Sequence, residues 1–370
     1  MVSVIVPARN EEDCLGVCLE SLVVQAGVSF EIIVVDDGSS DRTRAIAQSF
    51  SGVRVVEPGP LPSGWSGKNN ALVAGAKEAR GEWLLFTDAD TMHQAGSLAR
   101  SVAEARRQKA ALLSYSPEQE VHGMWEKAVM PVIFADLASS YRPSEVSDPA
   151  SSAAAANGQY ILVSREAYDA VGGHAAVATS LLEDVALARA VKASGRRIFF
   201  RYGGDAVRTR MYRSFAQLRE GWTKNLVLLF RSPVRLAGLR LTEFALIVSG
   251  GAIAVAAGVR GKWHPAVVGA ILTGVLCGFL LKRIRRAHFS WDANLLALVG
   301  LPVFSYLLLR SRIAHEKGIV SWKGRSYAGD CNRGSIVIDA VRAGRPHDSR
   351  RDAGAASGGR GTHGLSDAQG

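Results

Sequence analysis

The chain has 370 residues, 48% of them hydrophobic, with a formal charge of +10. That supports a sizeable core and one to three domains. The basic excess is clustered, with nine Lys/Arg against two acids from Arg201 to Arg240 and the same ratio from Leu280 to Arg325. Uncharged apolar runs lie between these clusters, a pattern that suits a membrane surface. No base-reading or stacking module is visible, which argues against a nucleic-acid binder. The four cysteines, Cys14, Cys18, Cys277 and Cys331, complete no zinc motif and read as reduced, cytosolic thiols.

The elements follow in chain order. Residues 2–6 (VSVIV) are β-branched, end at Pro7 and read as a buried strand. This start lacks the basic residues, long apolar core and cleavage site of a signal peptide, so the catalytic candidates are expected in the cytosol. A helix is predicted from Glu11 to Leu22, a strand over 31–35 (EIIVV), a helix capped by Asp41 and a strand over 53–56. A loop, 57-EPGPLPSGWSGKNN-70, leads to a helix over Ala71–Arg80 and a strand over 83–87. This alternation predicts a mostly parallel α/β sheet. In such sheets ligands bind beyond the carboxyl ends of the strands. Pro7 to Glu11, Asp36-Asp37, Lys68 and Asp88/Asp90 all fall at such ends. Neither G-x-G-x-x-G nor G-x-x-x-x-G-K-[ST] is present, which disfavours dinucleotide and P-loop folds.

Three later runs, Phe244–Val259, Pro265–Leu281 and Ala293–Leu309, carry no Asp, Glu, Lys or Arg. They are close to the length a membrane span needs, and their basic flanks favour that over three buried soluble helices. Met124–Leu137, broken by Pro131, reads either as a core helix or as a helix lying in the membrane plane. Residues 341–370 read as a disordered tail.

Asp88-Ala89-Asp90 ends an apolar strand on two carboxylates, and three readings compete. One is a turn held by Asx hydrogen bonds. A second is the D-x-D-x-[TV] pair of a phosphotransferase, but here Met92 occupies the last position. The third is a clamp for a hard divalent ion on a diphosphate.

The segments VIVPARNEE (4–12), VVDDGSSD (34–41), TDAD (87–90) and LLEDVALARAVKASGRR (181–197) together resemble family 2 glycosyltransferases. The resemblance covers about residues 2–225 and implies a GT-A fold, a nucleotide-diphospho-sugar transferase domain, followed by C-terminal transmembrane helices. It implies that Pro7, Ala8 and Glu11 line the nucleotide pocket and that Asp37 accepts a hydrogen bond from the base. Asp88 would lie near the ribose and diphosphate, and Asp90, with Asp88, would hold Mg²⁺ or Mn²⁺. Asp184 of the Glu183-Asp184 pair would be the general base. Lys68 is either a diphosphate contact or a solvated loop lysine. His174 is either an acceptor contact or structural.

Processive members carry Q-x-x-R-W, which here is broken into Gln217-Leu218-Arg219-Glu220-Gly221-Trp222. The break argues against polymer synthesis, while Arg219 and Trp222 would still close over the diphosphate. GWSGKNNAL (64–72), MYRSFAQLREGWTKN (211–225) and WKGRSY (322–327) further resemble membrane-bound carotenoid (4,4′-diaponeurosporenoate) glycosyltransferases. The expected organisation is a transferase domain over 1–225, an interfacial connector over 226–240 and membrane segments within 241–310, at about 241–259, 265–281 and 293–309. A juxtamembrane segment over 311–340 and the tail complete it. The expected activity is inverting transfer of one sugar, from a UDP-sugar above other donors, to a lipid or isoprenoid-like acceptor at the inner membrane. A processive synthase and a non-catalytic sugar-nucleotide binder are the alternatives.

Overall fold

The computed structural model describes residues 1–322, 325 and 326, the last four of these (321, 322, 325 and 326) by backbone alone. Cys331, the 341–370 tail and half of WKGRSY (323, 324 and 327) lie outside the described residues.

Strand β1 (Val2–Ala8) is flanked by β2 (Phe30–Asp36) and β4 (Trp83–Phe86), with β3 (Val53–Val56) beyond β2, all parallel. Helices α1 (Leu15–Val23), α2 (Thr43–Gln48) and α3 (Gly67–Glu78) make the crossovers. These strands are apolar along their length because helices cover both faces. Helix α1 starts at Leu15, later than expected, because residues 12–14 form a turn before it. Asp41 accepts the Thr43 N–H at 2.9 Å and so closes the start of α2.

Helix α3 begins four residues before its apolar pattern. Ser66 Oγ accepts the Asn69 N–H at 3.0 Å, so Lys68 lies on a helical first turn and not in a loop. That turn is polar because it faces a cavity, which hides it from a reading based on apolar periodicity. Gly75 lets α3 lie directly on the sheet, since a Cβ there would sit 2.5 Å from Ile5 Cγ2.

After β4 come β5 (Thr91–His93), α4 (Ser97–Arg107), β6 (Leu112–Ser116), β7 (Glu118–Gln119), α5 (Met124–Ser140) and α6 (Pro143–Ser147). Strand β8 (Ile161–Ser164) inserts antiparallel between β4 and β6. Helices α7 (Arg165–Ala170), α8 (Gly173–Ala176) and α9 (Glu183–Ala193) lead to β9 (Ile198–Tyr202), parallel to β6. The sheet order is β3-β2-β1-β4-β8-β6-β9. Strand β10 (Val207–Thr209) joins β5 and β7 in a second, small sheet. The mostly parallel sheet of a GT-A domain is thus in place.

Helix α10 (Phe215–Leu229) is followed by α11 (Pro233–Val259), α12 (Trp263–Ile284), a 3₁₀ turn (Arg285–Ala287) and α13 (Trp291–Glu316). The expected connector over 226–240 is therefore divided between α10 and α11. At 1.5 Å per residue, α11, α12 and α13 are each long enough to cross a hydrocarbon core. Helices α11 and α12 form a hairpin with outward apolar faces, for example Val255, Ile271 and Phe279. Helix α13 differs. Half of its most apolar window is buried, against 6% and 11% in the other two. Its backbone lies on α5 at Gly300, where a Cβ would fall 1.8 Å from the Ala128 carbonyl oxygen. Helix α5 is one continuous helix despite Pro131, packed in an apolar cluster with α10 and α13.

Ionic contacts tie these helices together. Buried Asp136 of α5 meets Arg240 Nη2 of α11 at 2.6 Å, and Glu243 joins Arg240 to Arg283 of α12 at 2.9 Å each. Lys127 of α5 meets Asp292 of α13 at 2.6 Å. Lys224 of α10 accepts at its carbonyl from His315 Nε2 at 2.8 Å.

Candidate active site

A cavity of about 790 Å³ opens over the carboxyl ends of β1, β2 and β4 and continues between α5, α10 and the α12–α13 turn. Pro7, Ala8 and Glu11 line it after β1, and Asp37 lines it after β2. The two turns are joined: the Asp37 N–H donates to the Ala8 carbonyl at 2.9 Å, and Arg9 Nη1 donates to the Asp37 carbonyl at 2.6 Å. Gly38 sits at φ +69°, a conformation favoured by glycine, and completes this bend.

Asp88, Ala89 and Asp90 line the cavity after β4. A buried threonine layer fixes their turn. Thr91 Oγ1 donates to the Asp88 carbonyl at 2.7 Å, Thr209 Oγ1 donates to the Asp90 carbonyl at 3.2 Å, and the Thr87 and Thr91 hydroxyls meet at 2.9 Å. The backbone is thus satisfied from below while the carboxylates reach the cavity. Among the described residues no three metal-ligating side chains cluster. A hard divalent ion that shares its coordination with phosphate oxygens needs only one or two carboxylates, so this oxygen-donor pair fits one.

Lys68 reaches across from α3. Its Nζ lies 2.8 Å from Asp88 Oδ1 and 2.8 Å from Glu183 Oε1, and the two carboxylates hold its ammonium well above the ordinary pKa against the opposing effect of burial. Glu183 and Asp184 form the first turn of α9, beside the helix's unsatisfied N–H groups. Burial would raise the Glu183 carboxyl, but Lys68 and Lys224 outweigh it and keep the group ionised. Asp184 goes the other way. Burial and the neighbouring Glu183 charge push it up to about 6, although Gly158 and Val185 N–H groups donate to it at 3.0 and 2.7 Å. Two adjacent carboxyls thus differ in proton affinity, one fixed as an anion and one poised to exchange a proton near neutrality.

Trp222 lines the cavity at 3% exposure. Arg219 does not line it and is exposed on α10. It follows buried Leu218, about 100° round the helix, and that step turns its side chain to the exposed side. His174 is 1% exposed, receives Tyr168 Oη at 3.1 Å and packs edge-on to Phe86, which is a structural setting. Sequence reasoning missed Lys224, Tyr212, Arg286 and His288, all in the lining. Arg286 lay within a basic cluster that reads as membrane flanking, Tyr212 and Lys224 lay unassigned within MYRSFAQLREGWTKN (211–225), and no motif marks His288.

Residues 3–170 match the family model for glycosyl transferase family 2. The chain is a glycosyltransferase: it carries that domain on a GT-A sheet. It is 28% identical over 344 residues to the 4,4′-diaponeurosporenoate glycosyltransferase of Staphylococcus aureus strain MRSA252, spanning 88% of each chain. The corresponding enzyme of strain USA300 is 28% identical over 341 residues, again over 88% of each chain. Among solved structures, the Pyrobaculum calidifontis mannosyltransferase PcManGT with GDP-Man and Mn²⁺ has a TM-score of 0.48 at 16% identity, covering 85% of this chain and 86% of that one.

Proposed function

We propose that this glycosyltransferase is anchored in the cell's inner membrane with its catalytic domain on the cytosolic side, and that it moves one sugar, with inversion, from a nucleotide-sugar to a membrane amphiphile. The observation that carries this reading is the single cavity that runs from Asp37, Asp88 and Asp90 past Asp184 to the membrane helices. The turns after β1 and β2 hold the nucleoside, with Asp37 at the base and Asp88 at the ribose and diphosphate. A UDP-sugar is the leading donor. The names of the relatives support an isoprenoid or carotenoid-like acceptor.

In the step, an acceptor hydroxyl oxygen bonds to the sugar's anomeric carbon as the bond from that carbon to the diphosphate oxygen breaks. Asp184 takes the hydroxyl proton, and the nucleoside diphosphate leaves with the electron pair. Lys68, held by Glu183 and Asp88, meets the charge on the leaving group. A divalent ion held by Asp90 and Asp88 would supply further neutralisation of the diphosphate when bound. Asp184 suits its role because a base working near neutral pH needs a pKa near that value.

The test is release of nucleoside diphosphate from a panel of nucleotide-sugars, with and without lipid extract, followed by mass spectrometry of lipid glycosides. Lipid-dependent release and one-sugar glycosides are expected, both lost in Asp184→Asn. Polymeric products, or equal release without lipid, would overturn the reading.

A further inference from the structure

The membrane end of the cavity has a wall that the donor chemistry does not use. It is the turn between α12 and α13. Arg286, Ala287 and His288 of this turn line the same cavity as Asp184. The His288 ring stacks on Tyr202 of β9, with centroids 4.0 Å apart and planes 11° from parallel. Phe289 packs on Phe134 of α5, and Phe134 packs on Trp222. The turn that joins two apolar helices is thereby fixed to the transferase domain and does not hang free at the membrane surface.

The chemistry of this end is specific. Phe134, Leu137 and Leu229 give it apolar walls. Arg286 is exposed and makes no ion pair among the described residues. On α10, Trp222 Nε1 and Asn225 Oδ1 are buried and have no hydrogen-bond partner among the described residues, and both side chains line the cavity. A buried polar atom without a partner is destabilising, so a pair of them on one cavity wall marks where a polar ligand group completes the site. One cavity thus combines a proton acceptor at Asp184, an orphan donor and acceptor on α10, a guanidinium at the α12–α13 turn and apolar walls.

Resting on the glycosyl-transfer reading above, we infer that the α12–α13 turn is the acceptor-recognition wall, and that it selects an amphiphile whose reacting hydroxyl is followed, toward the apolar tail, by an acidic group. Arg286 receives that acid, the His288–Tyr202 stack flanks it, and Trp222 and Asn225 hold the hydroxylated part of the head group. The acid is a carboxylate or a phosphate; the guanidinium matches the geometry of both.

The experiment measures binding without any donor, so its outcome stands apart from the transfer assay. The full chain, in nanodiscs of zwitterionic lipid, is titrated calorimetrically with N-oleoylserine (hydroxyl and carboxylate), phosphatidylglycerol (hydroxyl and phosphate) and monooleoylglycerol (hydroxyl, no acid). At least one acidic probe should bind about tenfold or more tightly than the neutral one, as a charge-assisted hydrogen bond predicts. Which acidic probe wins identifies the acid. Arg286→Gln should erase the preference, Arg286→Lys should restore part of it, and Lys282→Gln, in the last turn of α12 and outside the cavity lining, should keep it. Absence of a preference in the unaltered protein overturns the inference. So does its survival in Arg286→Gln, or its equal loss in Lys282→Gln, which would indicate surface charge alone. Failure of sugar transfer alongside an Arg286-dependent binding preference would instead overturn the transfer reading.

Discussion

The Gly158 backbone N–H donates to Asp184 Oδ2 at 3.0 Å, aiming this carboxyl into the cavity from the first turn of α9. Its proton affinity is raised to about 6, chiefly by burial and then by Glu183. As a base it works only when deprotonated, so kcat/KM should fall as pH drops through about 6, approaching tenfold per unit below it. Asp184→Asn should lose 10²–10⁴-fold in turnover while retaining donor affinity. A raised carboxyl pKa means that ionisation above about pH 6 opposes folding, so the loss is not explained by lost stability. Thermal unfolding at pH 7.5 checks this. A drop under about threefold would assign the base elsewhere.

Lys68 bridges Asp88 and Glu183 and so joins the two halves of the site. Lys68→Ala should raise the donor KM by roughly tenfold, the low end for a charge-assisted contact because a third of the side chain is exposed. It should also let the Glu183 carboxyl rise, since the Lys68 charge is the larger of the two lysine charges that hold it down. The acid limb of the pH profile should then broaden. Unchanged donor KM would reduce Lys68 to a structural contact.

The carboxylate pair gives a metal prediction. Chelation should abolish turnover and Mn²⁺ or Mg²⁺ restore it, while Asp90→Asn should lose on the order of 10²-fold, the equivalent of a few kcal/mol of charge stabilisation. Mn²⁺ binding followed by electron paramagnetic resonance, with nucleoside diphosphate present, gives a readout independent of turnover. Full metal-dependent activity in Asp90→Asn would reject the clamp.

Much of this was legible in the sequence, for a physical reason. Apolar runs ending in Pro7, Asp36-Asp37 and Asp88, the first two of them rich in β-branched residues, announce buried parallel strands, and parallel strands bring their ends to one edge. The residues at those ends therefore converge whatever the loops do. Two kinds of feature were not legible. The first turn of α3 is polar because it faces the cavity, so its helicity leaves no apolar period. The α12–α13 turn reaches the site only through tertiary packing on Tyr202 and Phe134, which local pattern does not encode. Arg219 shows the converse, a family-motif residue that is exposed and outside the cavity lining.

Asp136 is buried at 5% exposure and pairs with Arg240 on α11, next to cavity-lining Leu137 and Ala138. Removing one partner leaves a buried charge uncompensated, at a cost of roughly 3–5 kcal/mol. Asp136→Ala should therefore lower the melting temperature in detergent markedly. Arg312→Ala, which breaks an exposed pair with Glu316, should shift it little. Equal shifts would show that the buried network does not fasten the hairpin.

The last expectation concerns the side of the membrane on which the chain continues past α13. A helix of 26 residues spans about 39 Å and would separate its ends across a bilayer if it stood upright. Yet its first turn pairs with Lys127 of α5, and its last turn hydrogen-bonds the Lys224 carbonyl of α10. Both α5 and α10 line the transferase cavity, so both ends of α13 rest on the same body. Its half-buried apolar window agrees with a helix lying along that body, in contrast to the α11–α12 hairpin. The charge pattern points the same way, since Arg310, Arg312 and Lys317 would otherwise lie outside, against the preference of basic residues for the cytoplasmic side. Only the hairpin should cross, out through α11 and back through α12. In a background lacking the native cysteines, Lys262→Cys at the hairpin tip should react with an impermeant thiol reagent in sealed cells. Val320→Cys should react only after permeabilisation. Labelling of position 320 from outside would mean that α13 crosses and that its contacts with α5 and α10 do not form in the membrane.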